Sequence, residues 1–194
     1  MAEAAPSARL FLAVPPPPAL AVRLEGLQEA LGAGTWQLTL TPPEDLHLTL
    51  HFLGATPLKL VDDLRRELGA LCHARRRFDL DCGGLGCFPD EAEPRVVYAG
   101  LRDPAGRLAE LFQASRRVLN AYRLFKLGEG LQPHVTLARV QRLSAAWDPA
   151  LLRPLAAGAA ALGPYPVERL QLMRARGGGD GPGGYETLAD LALA

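Results

Sequence analysis

The chain has 194 residues, 48% of them hydrophobic, and a formal net charge of +0. That is enough apolar material for a substantial core and argues against wholesale disorder, while the absence of a basic excess argues against non-specific polyanion binding. Three cysteines (Cys72, Cys82 and Cys87) without a Cys-x-x-Cys spacing make a disulfide framework or zinc knuckle a poor reading and fit thiols in a reducing cytoplasm. The N-terminus shows no basic region followed by a long apolar stretch, and no run of about 18 apolar residues suggests a membrane span. A cytoplasmic chain with no membrane association is expected, and monomer is the default for its oligomeric state.

In chain order, Arg9–Val14 is a short apolar run stopped by Pro15–Pro18 and predicts a buried strand. Leu20, Leu24, Leu27 and Leu31 have helical spacing and end at Gly32, predicting a helix over about 19–31. Residues 35–40 alternate as a strand. A third strand is predicted over His47–Leu53, closed by Gly54. Thr56 and Pro57 read as the N-cap and first turn of a helix reaching His73, with Leu60, Leu64, Leu68 and Leu71 as its apolar stripe. Phe78–Cys82 alternates, Gly83, Gly84 and Gly86 suggest a bulge, and Arg95–Leu101 reads as the hairpin partner. Pro104 opens a helix to about Tyr122. The strand His134–Ala138 follows, then a helical stretch over 148–161, a strand over Val167–Ala175, a glycine-rich hairpin loop over 177–184 and a last strand over Tyr185–Leu191.

One tetrapeptide pattern occurs twice, as His47-Leu48-Thr49-Leu50 and, 87 residues later, His134-Val135-Thr136-Leu137. Strand side chains alternate, so each copy sorts its His and Thr to one face and its apolar pair to the other. Each copy is followed by a helix and two strands, a repeat of pattern with little identity outside the tetrapeptide. This predicts two similar lobes that face each other, with one His-Thr pair on each wall of a shared cleft. One imidazole can take a proton while the other gives one at neutral pH, and two hydroxyls can donate to the oxygens of a tetrahedral anion. In-line phosphoryl transfer needs a proton taken on one side and delivered on the other. The pattern leaves open which histidine does which.

Other readings are weaker. His47 and His51 are four apart, a metal spacing on a helix, but on a strand they lie roughly 13 Å apart; no carboxylate cluster adds ligands. His51 and His73 read as surface residues, and Phe88 as core. The 177–184 loop lacks Gly-Lys-Ser/Thr and does not open a helix, so it reads as a hairpin tip, not a phosphate cradle.

The chain resembles the two-histidine (2H) phosphoesterase superfamily, and within it the bacterial and archaeal RNA 2′,3′-cyclic phosphodiesterases, also called 2′-5′ RNA ligases. The resemblance rests on Arg9–Val14, Leu46–Gly54, Gly86–Pro89 with Arg95–Tyr98, Pro133–Arg139, and Leu172–Arg176 followed by Tyr185. It implies an α+β fold, a bilobal pseudo-twofold arrangement of two antiparallel sheets with helices outside and a central cleft, in one domain over 1–194. It implies hydrolysis of RNA 2′,3′-cyclic phosphate ends to 2′-phosphomonoesters without metal or other cofactor. His47 would then be the proton donor and His134 the proton acceptor, with Thr49, Thr136 and Arg139 binding the phosphate. Partners would be RNA ends or small oligonucleotides, tRNA halves among them, and the reverse reaction would join ends through a 2′-5′ bond. The alternative is a module that binds nucleotides or RNA ends without turnover. Alternation also sets a puzzle: Arg139, five residues after His134, should face away from the cleft.

Overall fold

A computed structural model describes residues 6–32, 36–124, 130–143, 149–152, 156, 162–176 and 184–194. The elements among them are β1 (Ser7–Val14), α1 (Pro18–Gly32), β2 (Trp36–Leu40), β3 (Leu48–Pro57), α2 (Val61–His73), β4 (Phe78–Phe88), β5 (Val96–Arg102), α3 (Arg107–Ala121), β6 (His134–Leu143), β7 (Gly163–Val167), β8 (Arg169–Ala175) and β9 (Tyr185–Ala192). Short 3₁₀ turns lie at Pro43–Asp45, Leu58–Leu60 and Pro149–Leu151. The predicted helix over 148–161 and the 177–184 loop fall largely outside the described residues.

The strands form antiparallel ladders in the order β7-β4-β5-β6-β3-β1-β8-β9, with β2 added to β6. The two motif strands, β3 and β6, meet at the centre through the pair Leu48–Val135. One half of the sheet is thus β3-β1-β8-β9 and the other β6-β5-β4-β7, a pseudo-twofold α+β arrangement. The halves are not successive halves of the sequence. Strands β4 and β5, which follow the first motif, pair in the second motif's half, and β8 and β9, which follow the second, pair in the first's. A further link crosses the seam: the fully buried Tyr165 of β7 donates its hydroxyl to Val14 O (2.5 Å) and accepts from Leu48 N (3.3 Å).

The helices cover the apolar face. Leu20, Leu24, Leu27 and Leu31 of α1, Leu64, Leu68 and Cys72 of α2, and Leu108, Leu111, Phe112 and Leu119 of α3 join Leu10, Leu12, Val14, Leu48, Leu50, Val135 and Leu137 in one core. Each such leucine contributes roughly 1.5–3 kcal/mol relative to exposure. The outer face of α2 carries the ion pairs Asp62–Arg65 and Asp63–Arg66, at 3.0 and 2.8 Å.

Three features differ from expectation for identifiable reasons. Thr56 and Pro57 end β3 because the ladder with β1 runs on to Thr56–Ala8 and Pro57–Ser7; the Thr56 hydroxyl turns back to Gly54 O (3.2 Å), and α2 begins after a 3₁₀ turn. Strand β7 falls between the helical stretch and the strand expected to start at Val167, and it contains Pro164 and Pro166. It is an edge strand, where a missing N–H is tolerated. His51 is not a surface residue but 3% exposed, stacked on Phe112 (centroids 4.3 Å) with Nε2 on Ser115 Oγ (2.9 Å) and Phe112 O (3.2 Å).

The burial of His51 has a register cause. In the β1–β3 ladder, Leu12 pairs with His51 and Ala13 with Thr49, so Leu50 is an extra, bulged residue. In the β5–β6 ladder, Val97 pairs with Ala138 and Tyr98 with Thr136, so Leu137 is bulged. The two bulges sit 87 residues apart, at equivalent points of the two motifs. A bulge places two consecutive side chains on one face and inverts the alternation beyond it. Leu50 with His51, and Leu137 with Ala138, therefore all point to the core. Each bulge has a buried polar residue behind it: Ser115 holds His51, while Gln28 of α1 donates Nε2 to Leu137 O (2.7 Å) and Thr41 O (2.8 Å).

Gln28→Ala is expected to strip these carbonyls of a buried donor and to cost about 1–3 kcal/mol, read from the urea midpoint of unfolding. His51 supplies a pH prediction. Burial pushes its pKa down to about 4 from the ordinary 6.5, so between these values the unfolded chain takes up a proton that the folded chain refuses. Stability is then flat above about pH 6.5 and falls as the pH drops towards 4. Urea midpoints across that range should decline less steeply in His51→Gln than in the wild type.

Candidate active site

The two motif histidines are held in the same way. Pro43–Asp45 form a 3₁₀ turn just ahead of His47, and Gln132-Pro133 lead into His134 at the start of β6. His47 Nδ1 lies 2.6 Å from Asp45 O, and His134 Nδ1 lies 2.6 Å from Gln132 O. A carbonyl only accepts, so each Nδ1 carries the hydrogen and donates it. In the neutral ring, Nε2 then has the free lone pair. Thr49 Oγ1, 3.1 Å from His47 Nε2, is placed to donate to it.

Each imidazole is packed between two aromatic rings. His47 lies 5.1 Å from Phe11 and 5.2 Å from Tyr185, the latter edge-on; His134 lies 5.0 Å from Phe88 and 5.3 Å from Tyr98. Asp45 and Gln132 are themselves 87 residues apart. On the second wall, Tyr98 stacks on Phe88 at 4.4 Å and lies across Gly86, where a methyl group would overlap its ring. Glycine at position 86 is what allows that close approach.

Burial depresses both imidazoles. His47 is pushed down to about 4, against the pull of its Asp45 carbonyl bond and with help from the neighbouring His134 charge. His134 is lowered for the same first reason, partly offset by Gln132 O. The carboxyl of Asp45, buried at 5% exposure, is raised above its ordinary range by desolvation, partly countered by the Tyr185 N–H that it accepts at 3.2 Å. That bond ties the start of β9 to the turn holding His47.

His47, Thr49, His134, Thr136 and Arg139 all line one cleft of about 420 Å³, a volume suited to a small organic ligand. The structure thus brings together every residue singled out from the motifs. The bulge at Leu137 answers the Arg139 puzzle: by inverting the alternation it turns residue 139 back to the face of His134 and Thr136. Its equivalent in the first motif is Phe52, 87 residues earlier, turned into the cleft by the bulge at Leu50. Phe88 is a half-buried ring on the cleft wall, contrary to the core reading, because β4 ends there and its ring turns to Tyr98 and His134. His51 and His73 take no part. Among the described residues, no group of three or more His, Cys, Asp or Glu is placed to hold a metal. Sequence reasoning missed Phe11, Asp45, Phe52 and Tyr185; extending the 87-residue comparison beyond the tetrapeptide would have flagged Phe52, which stands opposite Arg139.

Comparison with known proteins agrees with this geometry. A family model described as the 2′-5′ RNA ligase superfamily matches residues 16–179. An Aeropyrum pernix protein named RNA 2′,3′-cyclic phosphodiesterase is 29% identical over 119 residues, which is 61% of this chain and 66% of that protein. One of the same name from Aquifex aeolicus is 32% identical over 101 residues, 51% of this chain and 53% of that protein. The aligned stretch thus spans about half to two thirds of those curated relatives. Among solved structures, TT0787 of Thermus thermophilus superposes with a TM-score of 0.75 at 29% identity, covering 95% of this chain and 97% of that one. E. coli LigT complexed with 3′-AMP has the same fold, with a TM-score of 0.75 at 23% identity over 97% of this chain and 99% of that one. With the family match running through both His-Thr motifs and most of the sheet, the chain belongs to the 2′-5′ RNA ligase superfamily.

Proposed function

We propose that the protein hydrolyses 2′,3′-cyclic phosphate ends of RNA to 2′-phosphomonoesters, using two histidines and no metal. The observation that carries this reading is the matched pair of imidazoles, each with Nδ1 fixed on a carbonyl and a motif threonine two residues on, lining one cleft. The names of the relatives support the substrate class.

In this scheme His134 Nε2 takes a proton from a water that attacks the phosphorus. The bond from phosphorus to the 3′ oxygen breaks, and His47 delivers a proton to that oxygen, leaving the phosphate on the 2′ oxygen. The carbonyl bonds hold each ring in the tautomer these transfers need. Thr49 and Thr136 donate to non-bridging oxygens, and the Arg139 guanidinium offsets the charge gathering there. With a ribose 5′-hydroxyl in place of water as the nucleophile, its proton going to His134 and the 3′ oxygen again taking one from His47, the same residues join two ends through a 2′-5′ bond. A module that only binds RNA ends would need no proton carriers, and the cleft holds two.

A second role assignment is favoured by one observation, the deeper depression of His47. A ring pushed down to about 4 is neutral at pH 7 and suits a base, so as donor it must gain its proton together with the anionic substrate. A cyclic substrate with sulfur in place of the bridging 3′ oxygen separates the two, because a thiolate leaves without a proton. It should rescue His47→Ala if His47 is the donor, and His134→Ala if the roles are exchanged.

Assayed on a short RNA with a cyclic phosphate end in excess EDTA, the wild type should release the 2′-phosphomonoester. His47→Ala and His134→Ala should each lose about a hundred-fold or more. A tight complex without turnover would leave the binding module instead. The singly protonated pair is the working form, and both rings titrate below 6.5, His47 near 4. The plot of kcat/KM against pH should therefore peak on the acid side of 6.5, while kcat peaks at higher pH because bound phosphate raises both rings.

A further inference from the structure

The cleft contains two arginines at positions that the pseudo-symmetry does not relate. Arg139 corresponds to Phe52, 87 residues earlier in the other motif. Val96 pairs with Arg139 as Phe11 pairs with Phe52, so Val96 matches Phe11 and the register gives Arg9, farther out on β1, no such partner. Each wall thus has one arginine lining the cleft, on β1 in the first and on β6 in the second. A symmetric phosphate site has no use for that difference, whereas an asymmetric chain passing through the cleft does.

Along the first wall the order is specific. The residues bulged out of the β1–β3 ladder, Leu50 and Leu53, belong to β3, so β1 keeps strict alternation and Arg9 shares a face with Phe11. Phe11 packs beside His47 at 5.1 Å, and Arg9 lies two residues before it, roughly 7 Å along the strand. Across from Phe11 is Phe52, with centroids 6.4 Å apart. Phe52 is 52% exposed, one of few large apolar side chains so open among the described residues. Outward from the imidazole, this wall offers an open aromatic face and then a guanidinium. A terminal nucleotide presents groups in the same succession: a cyclic phosphate, a base with a stackable face, and the phosphodiester on its 5′ oxygen.

Resting on the cyclic phosphodiesterase reading, we propose that Arg9 binds the phosphodiester on the 5′ side of the terminal nucleotide, with Phe52 under that nucleotide's base. The preferred substrate is then an oligonucleotide end whose chain leaves the cleft along β1 and β3. The near-zero net charge of the chain fits this division, with recognition through single placed contacts instead of a broad basic surface.

The test compares kcat/KM for adenosine 2′,3′-cyclic phosphate, which lacks the 5′ phosphate, with that for an adenosine dinucleotide ending in the same cyclic phosphate. The wild type should favour the dinucleotide by roughly ten-fold or more, one charged contact's worth. Arg9→Gln should collapse that ratio towards one and flatten the salt dependence of dinucleotide turnover. Arg9→Lys should keep part of the preference, whereas Phe52→Leu, which weakens stacking common to both substrates, should slow both and leave the ratio. Thermal melting of each variant separates misfolding from recognition. A ratio that survives Arg9→Gln overturns the proposal, as does an Arg9→Gln variant that slows both substrates alike. Loss of the ratio in Arg139→Ala with retention in Arg9→Gln also overturns it, by routing the chain along the other wall. If the wild type turns over neither substrate, the phosphodiesterase reading itself fails and this subsite with it.

Discussion

Strict two-residue alternation cannot present residues at positions 1, 3 and 6 of a strand on one face. The site needs that presentation twice, for His47, Thr49 and Phe52 and for His134, Thr136 and Arg139. An extra residue immediately after each motif threonine, Leu50 and Leu137, meets the need by inverting the alternation there. The rest of the structure accommodates this device. Helix α1 sends Gln28 to the carbonyl of Leu137, and α3 sends Ser115 to His51, the residue that the first bulge forces inward. Buried polar groups otherwise avoided in a core are here the supports of two backbone irregularities.

Burial and hydrogen bonding act on the site in opposite directions. Packing each imidazole between aromatic rings fixes its position but penalises its charge; the carbonyls of Asp45 and Gln132 return part of that charge stability and set the tautomer. Burial wins, most clearly at His47. The outcome is a pair of rings biased towards the neutral form; in the proposed reaction, an anion bound between them would favour their protonation.

Much of this was legible in the residues. The paired His-Thr pattern, the apolar stripes of α1, α2 and α3, and the glycine bulge in β4 are local signals, and each predicted its element. What escaped depended on partners remote in sequence. His51 reads as a cleft or surface residue until its neighbour is known to be bulged, and only the ladder with β1 reveals the bulge. Strand β7, with its Pro164 and Pro166, goes unread until it is known to lie at a sheet edge. Asp45 and Tyr185 join the site through a bond spanning most of the chain. Arg139 was recognised by resemblance, but its orientation followed from register, which no local pattern encodes.

The crossing of strands between the two halves of the sheet has a consequence for how the molecule comes together. The wall bearing His47 is begun by β1 and β3 and completed by β8 and β9, which follow them in the sequence by more than a hundred residues. Tyr185, which packs on His47, and the Asp45–Tyr185 bond arrive with them. The first motif therefore waits for these later strands, while the second motif finds β4 and β5 already made. Closing such distant ladders carries a loop-entropy cost that slows folding relative to chains of local contacts. The order of synthesis thus gives the two walls, so alike when finished, different histories: the second can assemble as it emerges, and the first is sealed only once β8 and β9 have followed.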